Sequence, residues 1–329
     1  MKKVIVTGGS GFIGRNLIQI LLKNNFFVIN IDKLTYASKN VKLKIKNKNY
    51  LFFKKDINNK IFVNSIFNKY KPDLLINVAA ESHVDNSIHS SKEFINTNIL
   101  GTYNLLNCSK EYLENNISKK KKFIFFQIST DEVYGDIKNG KKSLENDILN
   151  PSSPYSSSKA SADLLVTSWS RTYGINYLIT RSSNNYGPYQ HKEKLIPVVI
   201  KSILNKKKIP IYGNGNQIRE WIYVEDNVDA ILKIIKSGKR NTIYNIGSNI
   251  FKKNIELVKL ICKLFDQITK SKNSEKYISY VIDRKGHDKR YALNISKIKK
   301  KIKWKPKTKF RKGIKKTIEW YIKHKSVFN

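Results

Sequence analysis

A glycine-rich turn near the start of the chain limits the possible folds more than any other feature. Gly8, Gly11 and Gly14 follow the apolar run Lys3–Thr7 and open the amphipathic segment Ile13–Lys23. Glycines let a backbone turn tightly and approach a pyrophosphate, while the free N–H groups at the start of a helix bind its oxygens. A strand, a turn of this spacing and a helix in succession predict a dinucleotide-binding unit.

The rest of the first half alternates short apolar runs with amphipathic segments. The predicted strands are Lys3–Thr7, Val28–Ile31, Tyr50–Phe53, Leu74–Ala79 and Phe123–Ser129, and the predicted helices are Ile13–Lys23, Ile61–Tyr70 and Lys92–Glu114. Near-continuous apolar strands are typical of a parallel sheet that is covered on both faces. The alternation therefore predicts an α/β fold, a Rossmann-like doubly wound parallel sheet.

The second half has a less regular pattern. Its turn-rich stretches are Asn184–Gln190 and Tyr212–Gln217, its short strands Ile209–Tyr212 and Thr242–Ile246, and its helices Asn254–Phe265 and Phe310–Lys323. We therefore predict a dinucleotide-binding domain with the catalytic residues over 1–183. A smaller C-terminal substrate-binding region over 184–329 packs on it, with some segments interleaved with the first domain.

The charge balance is strongly basic, with 63 Lys and Arg against 25 Asp and Glu and a formal net charge of +38. Such a charge taken alone is typical of nucleic-acid binders. Lysines make up 55 of the cations, however, and they are spread along the chain. Lys, Asn and Ile, all abundant here, share A/T-rich codons, so we attribute the charge to compositional bias and expect no specific nucleic-acid partner.

The sequence does not support a membrane protein or a metal-binding protein. No apolar run approaches the roughly 20 residues of a membrane span, and turn residues interrupt the apolar run at the N-terminus, unlike in a signal peptide. Cys108 and Cys262 have no metal-type spacing. We expect a cytoplasmic protein with no metal site, no disulfide scaffold and no membrane partner.

Tyr155 and Lys159 form a first candidate catalytic pair. The preceding Ser-Pro stretch predicts the start of a helix, on which residues four apart share a face. A nearby ammonium and a positively charged nicotinamide lower the pKa of a tyrosine hydroxyl, which then accepts a proton from a sugar hydroxyl. The alternative interpretation is a surface tyrosine above a solvated lysine, which would have the same spacing.

Thr130, Asp131 and Glu132 form a second candidate cluster, at the end of the predicted strand Phe123–Ser129. Ligands of open α/β sheets bind at this edge. If the strand ends at Thr130, the turn brings both carboxylates into one pocket, where one pKa rises and the pair supplies an acid and a base. If the strand continues, they point to opposite faces; a pair of solvated loop acids is the third possibility.

Asp32 and Asp56 end the second and third predicted strands. A carboxylate at the position of Asp32 accepts hydrogen bonds from the adenine ribose and repels a 2′-phosphate, which favours NAD over NADP. Asp56 is a candidate contact for the adenine edge. Both residue types are also common in ordinary turns.

These motifs resemble those of the extended short-chain dehydrogenase/reductase family over nearly the whole chain. The matching segments are 32–37, 79–85, 129–135, 151–159, 183–189, 193–197, 217–226, 283–284, 286–288 and 319–321. Within the family, the chain is similar to 4,6-dehydratases that act on dTDP-glucose, because epimerases lack the two acids after Thr130. The resemblance implies such a dehydratase with NAD as cofactor. UDP- or CDP-glucose remains an alternative substrate, and a UDP-sugar epimerase or decarboxylase a more distant alternative.

The resemblance also implies a role for each catalytic residue. Tyr155, supported by Lys159, removes the proton of the C4 hydroxyl, and Thr130 hydrogen-bonds the same oxygen. Glu132 then removes the C5 proton, while Asp131 in its protonated form delivers a proton to the departing C6 hydroxyl.

Two sets of binding residues follow from the same resemblance. The cofactor set is Gly8, Gly11, Phe12, Ile13, Gly14, Asp32, Lys33, Leu34, Thr35, Asp56, Ile57, Ala79, Ala80, Ser82, Thr97, Tyr155, Lys159 and Asn185. The substrate set is Ser82, His83, Thr130, Asn184, Lys194, Leu195, Pro210, Tyr212, Arg219, Asn254, Arg284 and His287. Arg219 and Arg284 are assigned to the diphosphate because a guanidinium pairs with phosphate bidentately. Arg181, Arg290 and Trp221 are interpreted as structural.

Three residues depart from the family pattern. Asn86, Asn227 and Lys285 stand where Arg, His and Pro are usual. We expect them to influence nucleotide preference and affinity rather than the reaction, with Lys285 adding a cation beside the nucleotide site. The resemblance also implies a homodimer, formed through the segments Lys92–Glu114 and Tyr155–Tyr173.

Overall fold

A parallel sheet forms the centre of the molecule, of which the computed structural model describes residues 1–35 and 45–328. Tyr36 and Ala37 of the matching segment 32–37 lie outside those ranges. Within them, seven parallel strands have the order β10-β6-β5-β4-β1-β2-β3. Their bounds are Lys3–Thr7 (β1), Phe27–Ile31 (β2), Tyr50–Phe53 (β3), Leu74–Asn77 (β4), Ile124–Thr130 (β5), Tyr177–Ser182 (β6) and Thr242–Ile246 (β10).

Helices cover both faces of this sheet, which confirms the predicted doubly wound fold. Their bounds are Phe12–Lys23 (α1), Lys60–Tyr70 (α2), Val84–His89 (α3), Lys92–Phe94 (α4), Gly101–Glu114 (α5), Ile117–Lys120 (α6), Pro154–Tyr173 (α7), Val224–Ser237 (α9) and Ser296–Ile302 (α11). Alternate residues of β1 point to opposite faces. Val4 and Val6 pack with α1, α9 and α11, whereas Ile5 packs with α2, α5 and α7. Both faces are therefore apolar, as the continuous apolar strands predicted.

A second group of elements builds a separate apolar core. It contains Asn184–Tyr186 (β7), Ile209–Tyr212 (β8), Ile218–Tyr223 (β9), Phe251–Lys253 (β11) and Ile278–Val281 (β12), with the helices Leu195–Leu204 (α8), Asn254–Thr269 (α10) and Phe310–Lys323 (α12). Strands β11, β9 and β7 form one small sheet, and β12 and β8 form another. Helices α8, α10 and α12 pack over them. Between these elements the chain returns to the large sheet as α9, β10 and α11.

The structure differs from the predicted elements at three places. The predicted helix Lys92–Glu114 is interrupted by a π-helical turn over Ile95–Leu100, which separates α4 from α5. The predicted strand Leu74–Ala79 ends at Asn77, and Val78 and Ala79 lie beyond it at the edge of the sheet. The predicted turn Asn184–Gln190 begins with strand β7, which pairs with β9.

In the part of the chain that the structure describes, no helix has the length and apolar character required to cross a membrane.

Candidate active site

The carboxyl ends of the central strands surround a cavity. Strands β2 and β4 lie on either side of β1, so the chain direction across the sheet reverses there, which is where doubly wound folds bind ligands. The segments after β1, β2, β4, β5 and β6 all line this first cavity. The sheet order therefore brings together residues that are far apart in the sequence.

The glycine turn lies at one wall of the first cavity. Gly8 has φ +65°, and a Cβ atom on it would lie 2.6 Å from the backbone of Ala79. A Cβ on Gly14 would lie 2.3 Å from the carbonyl oxygen of Gly8. Gly11 caps the amino end of α1 and faces the cavity. The turn thus brings bare backbone and a helix start to the cavity, an arrangement suited to a pyrophosphate.

Asp32 is held in place at the end of β2. Its Oδ2 accepts a hydrogen bond from the Ser10 N–H at 2.9 Å, and its Oδ1 accepts one from the Leu34 N–H at 2.8 Å. Burial raises the pKa of this carboxyl, while these backbone donors and Arg15 oppose the rise. Asp32 still lines the first cavity, so its remaining lone pairs can accept ribose hydroxyls.

The structure brings nearly all the predicted cofactor residues to the first cavity. The exception among them is Leu34, which does not line it. Leu34 has φ +57° and contributes its backbone N–H to Asp32 instead, because the chain turns sharply after β2. Lys33 and Asp56, predicted from separate strands, lie 3.6 Å apart as an ion pair.

Tyr155 and Lys159 lie in the first two turns of α7, both buried and both lining the first cavity. Ser153 and Ser156 form a capping box, and Pro154 begins the helix, as the Ser-Pro pattern predicted. The Lys159 ammonium donates to the carbonyl of Ile128 at 2.7 Å. Burial lowers the pKa of Lys159 to about 8, and Asp163 opposes this.

The predicted lowering of the Tyr155 pKa depends on a bound nicotinamide and stays a prediction. Burial raises the pKa of Tyr155, and the charge of Glu132 raises it further, while a hydrogen bond with Thr130 opposes the rise. The four-residue spacing predicted a shared helix face, but the lysine side chain points to the backbone of β5.

Strand β5 ends at Thr130, so both acids enter the turn that follows. Asp131 and Glu132 begin a 3-10 helix over Asp131–Tyr134, and the Thr130 hydroxyl accepts from the Glu132 N–H at 3.3 Å. Both carboxyls line the first cavity. Of the three arrangements considered from the sequence, the structure therefore has the one in which a turn directs both acids into a single pocket.

The two carboxyls differ in their surroundings. Asp131 is 3% exposed, and burial together with the charges of Glu132 and Glu220 raises its pKa well above the usual range. Burial also raises the pKa of Glu132, but the cations Lys194, Arg219 and Arg284 oppose that rise. The arrangement favours a protonated Asp131 beside an ionised Glu132.

A second cavity adjoins the first, and Glu132, Asn184 and Lys194 line both. Ten of the twelve predicted substrate residues line the second cavity, and the other two, Ser82 and Thr130, line the first. The ten are His83, Asn184, Lys194, Leu195, Pro210, Tyr212, Arg219, Asn254, Arg284 and His287. Glu132 therefore stands between a dinucleotide-like cavity and a cationic one.

The two predicted diphosphate arginines are fixed by protein contacts. Arg219 donates to the Asp288 carbonyl at 2.9 Å and lies over the Tyr291 ring at 4.3 Å. Arg284 pairs with Asp85, with Nε 2.8 Å from its Oδ1. Both arginines line the second cavity. They therefore offer two positive charges in fixed positions for binding a diphosphate.

The residues that depart from the family pattern have different environments. Asn227 is fully buried and accepts a hydrogen bond from the Ser182 hydroxyl at 3.0 Å. The Asn86 N–H donates to Nδ1 of His83, a predicted substrate residue. Lys285 is exposed and does not line the second cavity itself, but its neighbours Arg284 and Gly286 do, so the expectation that its charge lies beside the nucleotide site stays a prediction.

Sequence reasoning missed several residues of the site. Asn98, in the π-helical turn, exchanges hydrogen bonds with the backbone of Glu81 and donates to Ser158 on α7. Asp85 and Gln190 line the second cavity. Asn98 could not be predicted because a π-helical turn has no reliable sequence pattern. Asp85 could have been predicted as the partner of an arginine, since it belongs to the matching segment 79–85.

Comparison with known proteins agrees with this geometry. Residues 5–317 match the model of the family described as GDP-mannose 4,6 dehydratase. A dTDP-glucose 4,6-dehydratase of Haemophilus influenzae is 47% identical, with 98% of each chain covered.

Solved structures show the same fold. DesIV, a dTDP-glucose 4,6-dehydratase of Streptomyces venezuelae crystallised with NAD, is 35% identical with a TM-score of 0.90, covering 98% of both chains. A UDP-glucose 4-epimerase of Thermotoga maritima is 29% identical with a TM-score of 0.86, covering 98% of this chain and 99% of the epimerase. Since enzymes with different reactions share this fold, the reaction has to be argued from the side chains.

Proposed function

Because the chain belongs to the GDP-mannose 4,6 dehydratase family of extended short-chain dehydrogenases/reductases, we propose that it removes water from dTDP-glucose to give dTDP-4-keto-6-deoxyglucose. It is then a hydro-lyase of nucleotide-sugar metabolism, with a place in dTDP-rhamnose synthesis. The observation that carries the proposal is the Asp131–Glu132 pair, which one turn directs into the first cavity, with Glu132 lining the second cavity as well. A 4-epimerase needs no acid and base at C5 and C6, whereas a 4,6-dehydratase needs both.

The first cavity fits NAD. The Gly8–Gly14 turn leaves no room for side chains where a pyrophosphate approaches, and the carboxylate of Asp32 ends β2 within the same cavity. Bound there, NAD would supply the hydride transfer from C4 to C6 of the sugar, and the positive charge of its oxidised ring would lower the pKa of Tyr155. Lys159 lies at the same end of the cavity as Tyr155 and is suited to hydrogen-bond the nicotinamide ribose.

The chain's own residues move the protons of the reaction. Tyr155 takes the proton of the C4 hydroxyl, and the Thr130 hydroxyl bonds the same oxygen. The resulting 4-ketone makes the C5 proton acidic, so the Glu132 carboxylate can remove it. Protonated Asp131 gives its proton to the C6 hydroxyl, which leaves as water. After a hydride reaches C6, a proton returns to C5 and completes the 4-keto-6-deoxy sugar.

The nucleotide diphosphate belongs in the second cavity. Arg219, Arg284 and Lys194 supply positive charge there, and Pro210 and Tyr212 of β8 offer apolar surface for the base. These contacts suit any pyrimidine nucleotide sugar. UDP- or CDP-glucose is accordingly the second candidate substrate.

We also propose that the protein is a homodimer. Large apolar side chains are exposed on the segments that the family pattern assigns to the interface. Ile95, Leu100, Tyr103 and Leu164 are 46%, 48%, 45% and 60% exposed. Burying them between two copies of α5 and α7 supports a four-helix interface. The buried free thiols of Cys108 and Cys262 suit the reducing cytoplasm, where we place the protein.

A competition assay tests the proposed function. Purified protein with NAD is offered equal concentrations of dTDP-glucose and UDP-glucose, and mass spectrometry follows both sugars. We expect loss of one water from the dTDP sugar alone, and no loss with Glu132→Gln protein prepared in the same way. Water lost only from the UDP sugar would replace the substrate, and loss from neither would reject the dehydratase.

A further inference from the structure

A buried pair of charges lies behind the candidate active site. Asp163 follows Lys159 by one helical turn on the face of α7 that carries Tyr155. Its Oδ2 accepts a hydrogen bond from Nε of Arg181, on β6, at 2.9 Å. The two side chains are 1% and 4% exposed. Neither charge is solvated, so each needs the other for compensation.

Arg181 also contacts the turn that carries the two acids. Its Nη1 donates to the Tyr134 hydroxyl at 2.9 Å and to the Glu145 carbonyl at 3.2 Å. The guanidinium lies over the Tyr134 ring, 4.9 Å from its centroid. Tyr134 ends the 3-10 helix that begins at Asp131. One guanidinium therefore joins helix α7 to the catalytic turn.

The charge of Lys159 depends on the same pair. Burial lowers the Lys159 pKa to about 8, and the charged group that opposes this among the described residues is Asp163. On the side of β5, the Lys159 ammonium contacts the carbonyl of Ile128, which carries no charge. Its helix neighbour Tyr155 is neutral, because its pKa is raised. Burial raises the pKa of Asp163 itself, and the guanidinium of Arg181, 2.9 Å away, opposes that rise and so favours the ionised carboxylate.

We propose that the Asp163–Arg181 pair is a positioning device, which keeps the Lys159 ammonium charged and holds the turn of Asp131 and Glu132 against α7. The effect on turnover rests on the proposed function. The charge of Lys159 is a property of the free protein and can be measured without substrate. Arg181, interpreted from the sequence as structural, thereby acquires a part in the reaction through Lys159 and Tyr134.

Two variants of the pair separate its charge from its contribution to folding. Asp163→Asn leaves the buried Arg181 guanidinium without a negative charge to compensate it, and we expect this variant to lower the unfolding temperature strongly. The double variant Asp163→Leu/Arg181→Met removes both charges and keeps a similar volume, so we expect it to fold close to the wild type. It still deprives Lys159 of its negative neighbour.

Competitive labelling with acetic anhydride, read by peptide mass spectrometry over a range of pH, measures the titration of Lys159, which lines the first cavity. In the double variant we expect the midpoint to fall by about one pH unit. Above the new midpoint, kcat for dTDP-glucose should fall about tenfold, in addition to the pH-independent loss caused by the missing contact with Tyr134. A wild-type midpoint in the folded double variant would overturn the role of the pair in charging Lys159. If wild-type protein left dTDP-glucose unchanged, the proposed function would fail, while the Lys159 titration would still decide this point.

A matched control breaks an ion pair far from the cavities. Asp73 and Lys119 lie 2.6 Å apart before β4 and β5, at the opposite edge of the sheet. Asp73→Asn should lower the unfolding temperature without changing the Lys159 titration or kcat. A shift of the titration in this variant as well would show that the midpoint follows stability, and would contradict the proposal.

A third variant tests the contact with the catalytic turn. Tyr134→Phe removes the hydroxyl that accepts from Arg181 and leaves the Asp163–Arg181 pair in place. We expect kcat to fall about tenfold, because the acids are less well positioned, while the Lys159 titration stays unchanged. An unchanged kcat would overturn the part of the proposal that concerns the turn.

Discussion

Asp131 and Glu132 occupy neighbouring positions in one turn, yet their charges are controlled by different groups. Asp131 is buried beside two carboxyls, which favours its neutral form. Glu132 faces the cations of the second cavity, which favour its ionised form. At the scale of the residue, the division of labour between acid and base follows from which side chains each carboxyl faces.

The activity should fall at low pH because Glu132 must be ionised to act as a base. Burial raises the Glu132 pKa, so the fall should begin at a higher pH than an exposed glutamate would give. Among the cations that oppose this rise, Lys194 has the largest effect. Replacing Lys194 by Met should raise the Glu132 pKa further and move the low-pH limb of kcat to higher pH.

The matched control is Lys192→Met. Lys192 also lines the second cavity, whereas Lys194 is the cation that most strongly opposes the rise of the Glu132 pKa. The measurement is kcat as a function of pH for Lys194→Met, Lys192→Met and the wild type. A low-pH limb at the same position in Lys194→Met and Lys192→Met would reject Glu132 as the base.

At the scale of the element, α7 places catalytic groups through its first turns. The Ser153–Ser156 capping box fixes where the helix starts, and Tyr155 lies inside that box. Ser156→Ala should cost about 1 kcal/mol of stability and also lower kcat, because the turn that holds Tyr155 loosens. Thermal unfolding and steady-state kinetics measure the two effects.

A cap on a different helix provides the comparison for this prediction. The Asn59 side chain accepts from the Phe62 N–H at 2.9 Å at the start of α2. Asn59→Ala should cost a similar free energy of unfolding, about 1 kcal/mol, with little change in kcat. If both variants lose the same activity, the cap of α7 has no special role in catalysis.

The sequence predicted the central elements because each is specified locally. Apolar runs such as Lys3–Thr7 and the Ser-Pro start of α7 need no knowledge of the rest of the chain. The π-helical turn at Ile95–Leu100 and strand β7 depend on packing and on pairing with β9. The amphipathic pattern therefore predicted one continuous helix for the former, and the turn-forming residues predicted an irregular turn for the latter.

At the scale of the whole molecule, the two cavities arise from the order of the strands. The switch at β1 places the glycine turn near the ends of β4 and β5, so motifs separated by more than a hundred positions in the sequence line one cavity. Their membership of a single site followed from the α/β pattern. The direction of the Lys159 side chain and the Arg284–Asp85 pair did not, because side-chain contacts across the fold have no local pattern.

The net charge of +38 per chain should act against dimerisation. Like charges repel over a Debye length that grows from about 10 Å at 0.1 M salt to about 30 Å at 0.01 M. We therefore expect the proposed dimer to weaken as salt is lowered. Light scattering across a salt series measures this, and association independent of salt would contradict it. Leu164→Lys, in the exposed apolar patch, should weaken the dimer at every salt concentration.

The most direct test of the account is the reaction of dTDP-glucose in heavy water with the wild-type protein and NAD. If Glu132 removes the C5 proton and the hydride taken from C4 returns to C6, the product should have lost one water and carry one solvent deuterium at C5 and none at C6. Mass spectrometry with fragmentation locates the label. Unchanged substrate, or deuterium at C6, would contradict the proposed reaction.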